Sequence, residues 1–236
     1  MRVLVIIPAF NEAANITQVI TSLHAEFPTA DLLVVNDGSL DQTGQQAEKT
    51  GLARVIHLPC NLGIGGSVQT GFIFAVRHKY DAALQFDGDG QHLAAEIPLL
   101  LEPLYKDEAD VVIGSRFYSN SQGFKSSPLR RIGIKIFSLL NSLIIKQKIT
   151  DNTSGFRAYN KKAFTFLAES YPADYPEPEA VIMLGKNGFR LLEVESRMRE
   201  RQGGQSSIRG FRSVYYMLKV LLGIFMGALR PRIKRG

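Results

Sequence analysis

The chain reads as an α/β fold built on a mostly parallel, doubly wound, Rossmann-like sheet, and three observations predict it. Five short apolar runs rich in Val, Ile and Leu recur through the first half, at Arg2–Ile7, Leu32–Asn36, Arg54–Leu58, Ala82–Phe86 and Val111–Gly114. Longer segments of helical period lie between them. Polar or glycine-bearing residues follow four of the runs. Near-continuous apolar runs are what strands covered on both faces require, and their alternation with helices points to parallel pairing through crossovers. In such sheets ligands bind beyond the C-terminal ends of the strands.

The elements follow in order. Met1-Arg2-Val3-Leu4-Val5-Ile6-Ile7-Pro8 has too short an apolar stretch before proline for a secretory signal and reads as a buried first strand. The segment after it places Ile16, Val19, Ile20 and Leu23 on one helical face. After the second strand, Asp41 is positioned to cap a helix that ends near Thr50-Gly51. A third helix over Gly66–His78 carries Val68, Phe72, Ala75 and Val76. The strand ends Pro8-Ala9-Phe10-Asn11-Glu12, Asn36-Asp37-Gly38-Ser39, Asp87-Gly88-Asp89 and Gly114-Ser115-Arg116 are expected to line one rim.

The second half differs. Arg130 to Lys148 reads as an apolar helix with basic ends, and Val214–Leu229 as another apolar stretch, followed by Arg230-Pro231-Arg232-Ile233-Lys234-Arg235. Sixteen residues fall short of the roughly 20 that span a bilayer, so an interfacial amphipathic helix on anionic lipid is expected. The other reading is a pair of packing helices that bury an oligomer contact. From Arg197 onward there are ten Lys or Arg and one acid, a net of +9, whereas residues 1–196 carry 18 basic and 21 acidic groups, a net of −3. A basic tail on a near-neutral body implies a polyanionic partner for the tail. The body has no zinc spacing and no nucleic-acid module, which favours membrane over nucleic acid. A hydrophobic share of 45% with 21% charged residues excludes a disordered chain. The single Cys60 excludes an internal disulfide and suits a reducing compartment. The expected location is therefore the cytoplasmic face of the cell membrane, with residues 1–207 as the catalytic domain and 208–236 as a docking tail.

Two familiar phosphate motifs are excluded. Gly63 and Gly65 begin a glycine-rich helix start, but Val68 occupies the third glycine position of a dinucleotide fingerprint, and no Walker-type loop is present. Asp87-Gly88-Asp89 is more informative. Two carboxylates at a strand tip suit a hard divalent cation that keeps positions open for phosphate oxygens, although Asp-Gly-Asp alone also forms plain turns. Asn11-Glu12 and Asp37 are able to hold a base and ribose, since a carboxylate accepts from a ring N–H or from ribose hydroxyls. Each alone also serves as a cap or turn residue. Their joint placement with Asp87 and Asp89 at neighbouring strand ends favours a nucleotide site.

Taken together, Pro8-Ala9-Phe10-Asn11-Glu12, Asn36-Asp37-Gly38-Ser39, Asn61-Leu62-Gly63, Asp87-Gly88-Asp89-Gly90-Gln91-His92, Gly114-Ser115-Arg116 and Asp151-Asn152-Thr153-Ser154-Gly155-Phe156-Arg157 resemble the ordered motifs of family-2 inverting glycosyltransferases of the GT-A fold. The resemblance covers about residues 1–207. It is nearest to the dolichyl-phosphate mannose synthase and bacterial polyprenyl-phosphate glycosyltransferase group. It implies that Pro8, Ala9, Glu12 and Asp37 hold the nucleotide and that Asp87 meets ribose or metal. It also implies that Asp89 and Gln91 coordinate Mg²⁺ or Mn²⁺, and that Arg116, with Arg131, meets an acceptor phosphate. Asp151 to Arg157 would shape the sugar and acceptor pocket, and Arg199 or Arg201 would close over the diphosphate. The segment Arg199-Glu200-Arg201-Gln202 departs from the Gln-x-x-Arg-Trp of processive synthases, and the chain has no tryptophan.

The implied reaction moves one sugar from a nucleotide-diphosphate sugar, a UDP-sugar being favoured, to a polyprenyl phosphate such as undecaprenyl phosphate. A phosphate monoester is largely ionised at neutral pH, with a second pKa of about 6, and needs no general base. A hydroxyl acceptor on a lipid-linked polysaccharide would need one; Glu177 and Glu179 are then the candidates, Glu179 foremost, against the reading that they belong to a proline-stiffened surface loop. A reading of another class is a non-catalytic nucleotide-sugar-binding scaffold. A small membrane subunit or a second copy remains an alternative partner for the C-terminal helix. A nucleotidyltransferase is disfavoured, because no glycine-rich phosphate loop follows the first strand.

Overall fold

The computed structural model describes residues 1–116, 139, 141–172 and 176–197. Seven strands form one sheet: β1 (Val3–Ala9), β2 (Asp31–Asn36), β3 (Arg54–His57), β4 (Ala82–Gln85), β5 (Val111–Ser115), β6 (Arg157–Asn160) and β7 (Leu191–Glu195). Their spatial order is β3-β2-β1-β4-β6-β5-β7. Helices α1 (Ile16–Glu26), α2 (Thr43–Lys49), α3 (Gly63–Arg77), α4 (Ile97–Tyr105), α5 (Lys161–Ser170) and α6 (Pro176–Lys186) cover it. The five strands expected from the apolar runs are all present, and their pairings with one another are parallel.

Alternation along β1 explains the two-sided cover. Val3, Val5, Ile7 and Ala9 enter one core with Ile16, Val19, Ile20 and Leu23 of α1 and the apolar residues of α4. Leu4 and Ile6 enter the other with Val68, Phe72 and Ala75 of α3 and with residues of α5 and α6. The predicted stripe of α1 is its buried face. On α3, Val68, Phe72 and Ala75 are buried, whereas Val76 is 37% exposed. Asp41 sits ahead of α2, where its Oδ1 accepts from the backbone N–H of Thr43 at 2.9 Å.

Two strands were not anticipated. β6 enters the sheet antiparallel to both neighbours, pairing Gln85 with Arg157 and Ile113 with Arg157, and β7 adds parallel to β5 on the far edge. Arg-Ala-Tyr-Asn is too short and too polar to stand out as an apolar run, yet it carries the sheet across from β4 to β5. Pro176-Glu177-Pro178-Glu179, expected on one reading as a surface loop, opens α6 instead. Proline is tolerated in a first turn, where its missing N–H has no intrahelical role.

Of the apolar segment expected from Arg130 to Lys148, residues 141–145 are helical. Leu139 and Leu143 are exposed there, while Ile145 is buried. No helix among the described residues is long and apolar enough to cross a membrane. Arg131, Arg199, Arg201 and the expected C-terminal amphipathic helix and tail lie outside the described residues.

Candidate active site

The tips of β1, β2 and β4 stand side by side, because the sheet order places β1 between the other two. They are laced together by short bonds. Asp37 N–H donates to Ala9 O at 2.9 Å. The Asn11 side chain accepts from Leu40 N–H at 2.9 Å, while Asn11 N–H donates to Ser39 Oγ at 3.0 Å. Gly38 adopts φ +66°, and a Cβ there would fall 2.8 Å from the backbone of Cys60 and Asn61. That close approach lets Asp37 Oδ1 accept from Leu62 N–H at 2.7 Å, tying the second strand end to the start of α3.

A cleft of about 240 Å³ opens over these tips. Pro8, Ala9, Glu12, Asp37, Asp87 and Asp89 line it, together with Phe10, Ile64, Ser67, Gly88 and Glu177. Six residues expected in the nucleotide and metal sites thus share one wall. Asp89 Oδ1 accepts from Gln91 N–H at 3.1 Å, so this carboxylate caps its own turn. Gln91, Arg116 and Glu179 are not among the lining residues. Glu179 lies two positions beyond Glu177 in the first turn of α6, and residues two apart on a helix face different directions. Arg157, the first residue of β6 and paired with Gln85 at the end of β4, donates to the Glu177 carbonyl at 2.9 Å and so ties the start of α6 to this part of the sheet.

Asp87 is held by two neighbours. His92, whose side chain is 2% exposed, places Nε2 3.2 Å from Asp87 Oδ2. Its ring stacks on Phe156 at 5.0 Å and meets the edge of Phe86 at 5.6 Å. Gly155 also presses against the carboxylate: a Cβ there would lie 2.6 Å from Oδ2 and 2.8 Å from Oδ1. Burial alone raises the Asp87 carboxyl, but the hydrogen bond and electrostatic influence of His92 outweigh it, with help from Gln85 and Arg116, and hold it below the usual range. Glu177 shifts the other way, because burial raises it, the negative charge of Asp87 adds to the rise, and Arg157 offsets only part. Two neighbouring carboxyls with opposed shifts mark a site with divided roles.

The loop 151–155 also reaches the tip of β5. Arg116 Nε donates to Asp151 Oδ2 at 2.7 Å and Nη2 to Oδ1 at 2.8 Å, a bidentate pair, and Nη2 also donates to Thr153 Oγ1 at 2.6 Å. Burial pushes Asp151 up, and the Arg116 bonds and charge more than reverse it. Behind it, Glu193 of β7 accepts from the backbone N–H of Thr150 at 2.8 Å and of Asp151 at 2.6 Å. Burial raises Glu193 despite those bonds. His92 stands in the motif Asp87-Gly88-Asp89-Gly90-Gln91-His92 with no role assigned to it, and Glu193 belongs to no motif. Their partners lie five and 42 residues away, and only the short separation of His92 from Asp87 offered a signal.

The donor set suits a divalent ion. Among the described residues no group of three or more His, Cys, Asp or Glu forms a cage. Two carboxylates on the wall of an open cleft, one of them held well ionised, match a hard cation that draws its remaining oxygens from substrate phosphates and water.

The family model described as Glycosyl transferase family 2 matches residues 4–167. The polyprenol monophosphomannose synthase of Mycolicibacterium smegmatis is 30% identical over 93% of this chain and 85% of its own. The UDP-N-acetylglucosamine–dolichyl-phosphate N-acetylglucosaminyltransferase of Methanococcus voltae is 30% identical over 92% and 95%. Among solved structures, glucosyl-3-phosphoglycerate synthase from Mycobacterium tuberculosis in complex with Mn²⁺, uridine diphosphate and phosphoglyceric acid superposes with a TM-score of 0.73. It covers 98% of this chain and 79% of that one at 20% identity, a likeness of fold.

Proposed function

The chain belongs to glycosyl transferase family 2, and on that premise we propose that it moves a single hexosyl or N-acetylhexosaminyl group from a nucleotide-diphosphate sugar to a polyprenyl phosphate. The single observation that carries this reading is the cleft itself, in which Glu12 and Asp37 stand at one end and Asp87 and Asp89 at the next strand tip. A nucleoside is held at the first pair and a diphosphate at the second. The names of the relatives from M. smegmatis and M. voltae, both acting on polyprenyl-type phosphates, support the acceptor class. The name of the M. voltae relative supports a UDP-sugar donor.

Asp87 and Asp89, with Gln91 beside them, would hold Mg²⁺ or Mn²⁺ on the diphosphate. When bound, the ion supplies positive charge against the negative charge that grows on the leaving diphosphate. The chain's own groups do the rest. Glu12 and Asp37 fix the nucleoside, and His92 and Gly155 fix Asp87. Arg116, near enough that its charge lowers Asp87 and Glu177, brings positive potential to the side from which an anionic acceptor approaches. Arg131 and Arg201, which lie outside the described residues, would serve the acceptor phosphate and the diphosphate. An acceptor phosphate arrives ionised, so no residue needs to remove a proton.

The working location is peripheral, at the cytoplasmic membrane face, with 208–236 as the docking segment for lipid, a small membrane subunit or a second copy. The product would enter cell-wall or surface polysaccharide synthesis. The test incubates detergent-purified full chain with Mn²⁺, a panel of labelled nucleotide sugars and polyprenyl phosphate. Label passing into the organic phase with one donor is the expected result. Retention of all label in the aqueous phase would favour the scaffold reading. A second reading, transfer to a hydroxyl, has Glu177 in its favour, a carboxyl raised by burial and lining the same cleft as Asp89.

A further inference from the structure

Asp87 owes its orientation to a residue that does not itself line the nucleotide cleft. His92 is buried, its Nε2 lies 3.2 Å from Asp87 Oδ2, and its Nδ1 has no partner among the described residues. An ionised carboxylate only accepts, so the proton of this bond sits on Nε2. The ring is not free to swing. Phe156 stacks on it with an interplanar angle of 21°, and Phe86 meets it edge-on at 69°. Phe86 immediately precedes Asp87 on the chain, and Phe156 immediately follows Gly155, so the two rings clamp His92 from the same two segments that flank the carboxylate.

We propose that His92 is a positioning residue for donor and metal binding, which locks Asp87 Oδ2 through Nε2–H and leaves the second carboxylate oxygen for the ion. This rests on the donor-site reading above. A small second cleft of about 30 Å³ lies behind the turn, lined by Asn15, Gln18, Ser22, Asp89 and His92 among others. His92 and Asp89 thus line one cleft together with Gln18, Val19 and Ser22 of helix α1. The ring's packing and its hydrogen bond are separable. A phenylalanine keeps the aromatic clamp and loses the donor. Glutamine returns an N–H near the position of Nε2, whereas asparagine places its amide near Nδ1 and falls short. A purely structural histidine would respond to bulk and burial, and a positioning one to the placement of that donor.

The experiment compares full-length His92→Phe, His92→Gln and His92→Asn in detergent. Bound Mn²⁺ is read by electron paramagnetic resonance in the presence of uridine diphosphate, together with KM and kcat for transfer and the thermal unfolding midpoint. His92→Phe is expected to unfold cooperatively and to bind Mn²⁺ about 10–100-fold more weakly, the usual effect of losing an outer-sphere partner. KM for the donor should rise more than kcat falls, and His92→Gln should recover most of the affinity that His92→Asn does not. Wild-type Mn²⁺ affinity in His92→Phe overturns the proposal while leaving the donor site intact. If His92→Phe does not fold, equal affinities in the glutamine and asparagine variants overturn it. Failure of the wild-type chain to bind Mn²⁺ with uridine diphosphate overturns the donor-site reading as well.

Discussion

Arg116 and Asp151 meet as a bidentate ion pair across 35 residues of sequence, with bonds of 2.7 and 2.8 Å and side chains 12% and 0% exposed. The same loop, four residues on, presses Gly155 against the carboxylate of Asp87. One segment therefore braces the tips of β4 and β5 together, and a disturbance at either end reaches both.

Asp151→Asn should be strongly destabilising, because it leaves a largely buried guanidinium without its counter-charge. Breaking one side of a buried pair costs about 3–5 kcal/mol. Urea unfolding should show a lower midpoint with an unchanged slope. A wild-type midpoint would mean that Arg116 finds another partner.

The same pair sets an acid limit on stability. Asp151 has a lowered folded pKa, so its contribution is complete above the ordinary aspartate value of about 3.9 and is lost as pH falls through the lowered value. Glu193 and Glu177 are raised by burial and act oppositely: protonation favours the fold, and that help fades as pH rises past their unfolded values. Unfolding free energy measured from pH 5 down to pH 3 should fall in the wild type. The decline should be shallower in Asp151→Asn, and an identical slope in the two would show that Asp151 does not titrate as its pairing implies.

Asp89→Asn should keep the fold and lose transfer. The substitution preserves size and can still cap the turn at Gln91, but it halves the charge offered to a divalent ion. Circular dichroism should match the wild type while product falls by several orders of magnitude. Full activity would sink the metal assignment.

Gly155→Ala tests the close approach directly, since the added methyl would sit 2.6 Å from Asp87 Oδ2, well inside contact. Backbone or carboxylate must move. Donor KM should rise with a modest change in thermal midpoint, and the double variant with His92→Phe should be less than additive because both act through Asp87.

The two glutamates of α6 separate the acceptor readings. Glu179→Gln should leave transfer to polyprenyl phosphate unchanged, whereas Glu177→Gln, which removes a carboxyl from the cleft wall, should alter donor KM. If the acceptor is a hydroxyl, Glu177→Gln should abolish transfer outright by removing the base. A product assay with both acceptor types decides it.

Much of this was legible in the chain. The apolar runs marked five strands, the stripe Ile16, Val19, Ile20 and Leu23 marked the buried face of α1, and the polar ends of β1, β2 and β4, though not of β5, marked the residues that line the cleft. Each is a local property: periodicity states which face is covered, and a strand tip in a parallel sheet states where a ligand binds. The tertiary structure alone decided the remainder. A polar four-residue strand, Arg157–Asn160, is inserted antiparallel between β4 and β5, because the sheet offers unpaired edges on either side of it rather than because its residues announce a strand. That insertion brings Asp151 to Arg116, Gly155 to Asp87, and Glu177 rather than Glu179 to the cleft. Residue type and spacing determined which groups are available for chemistry. Which of them share a few ångströms depended on long-range pairing and buried charge balance, and neither has a period along the chain.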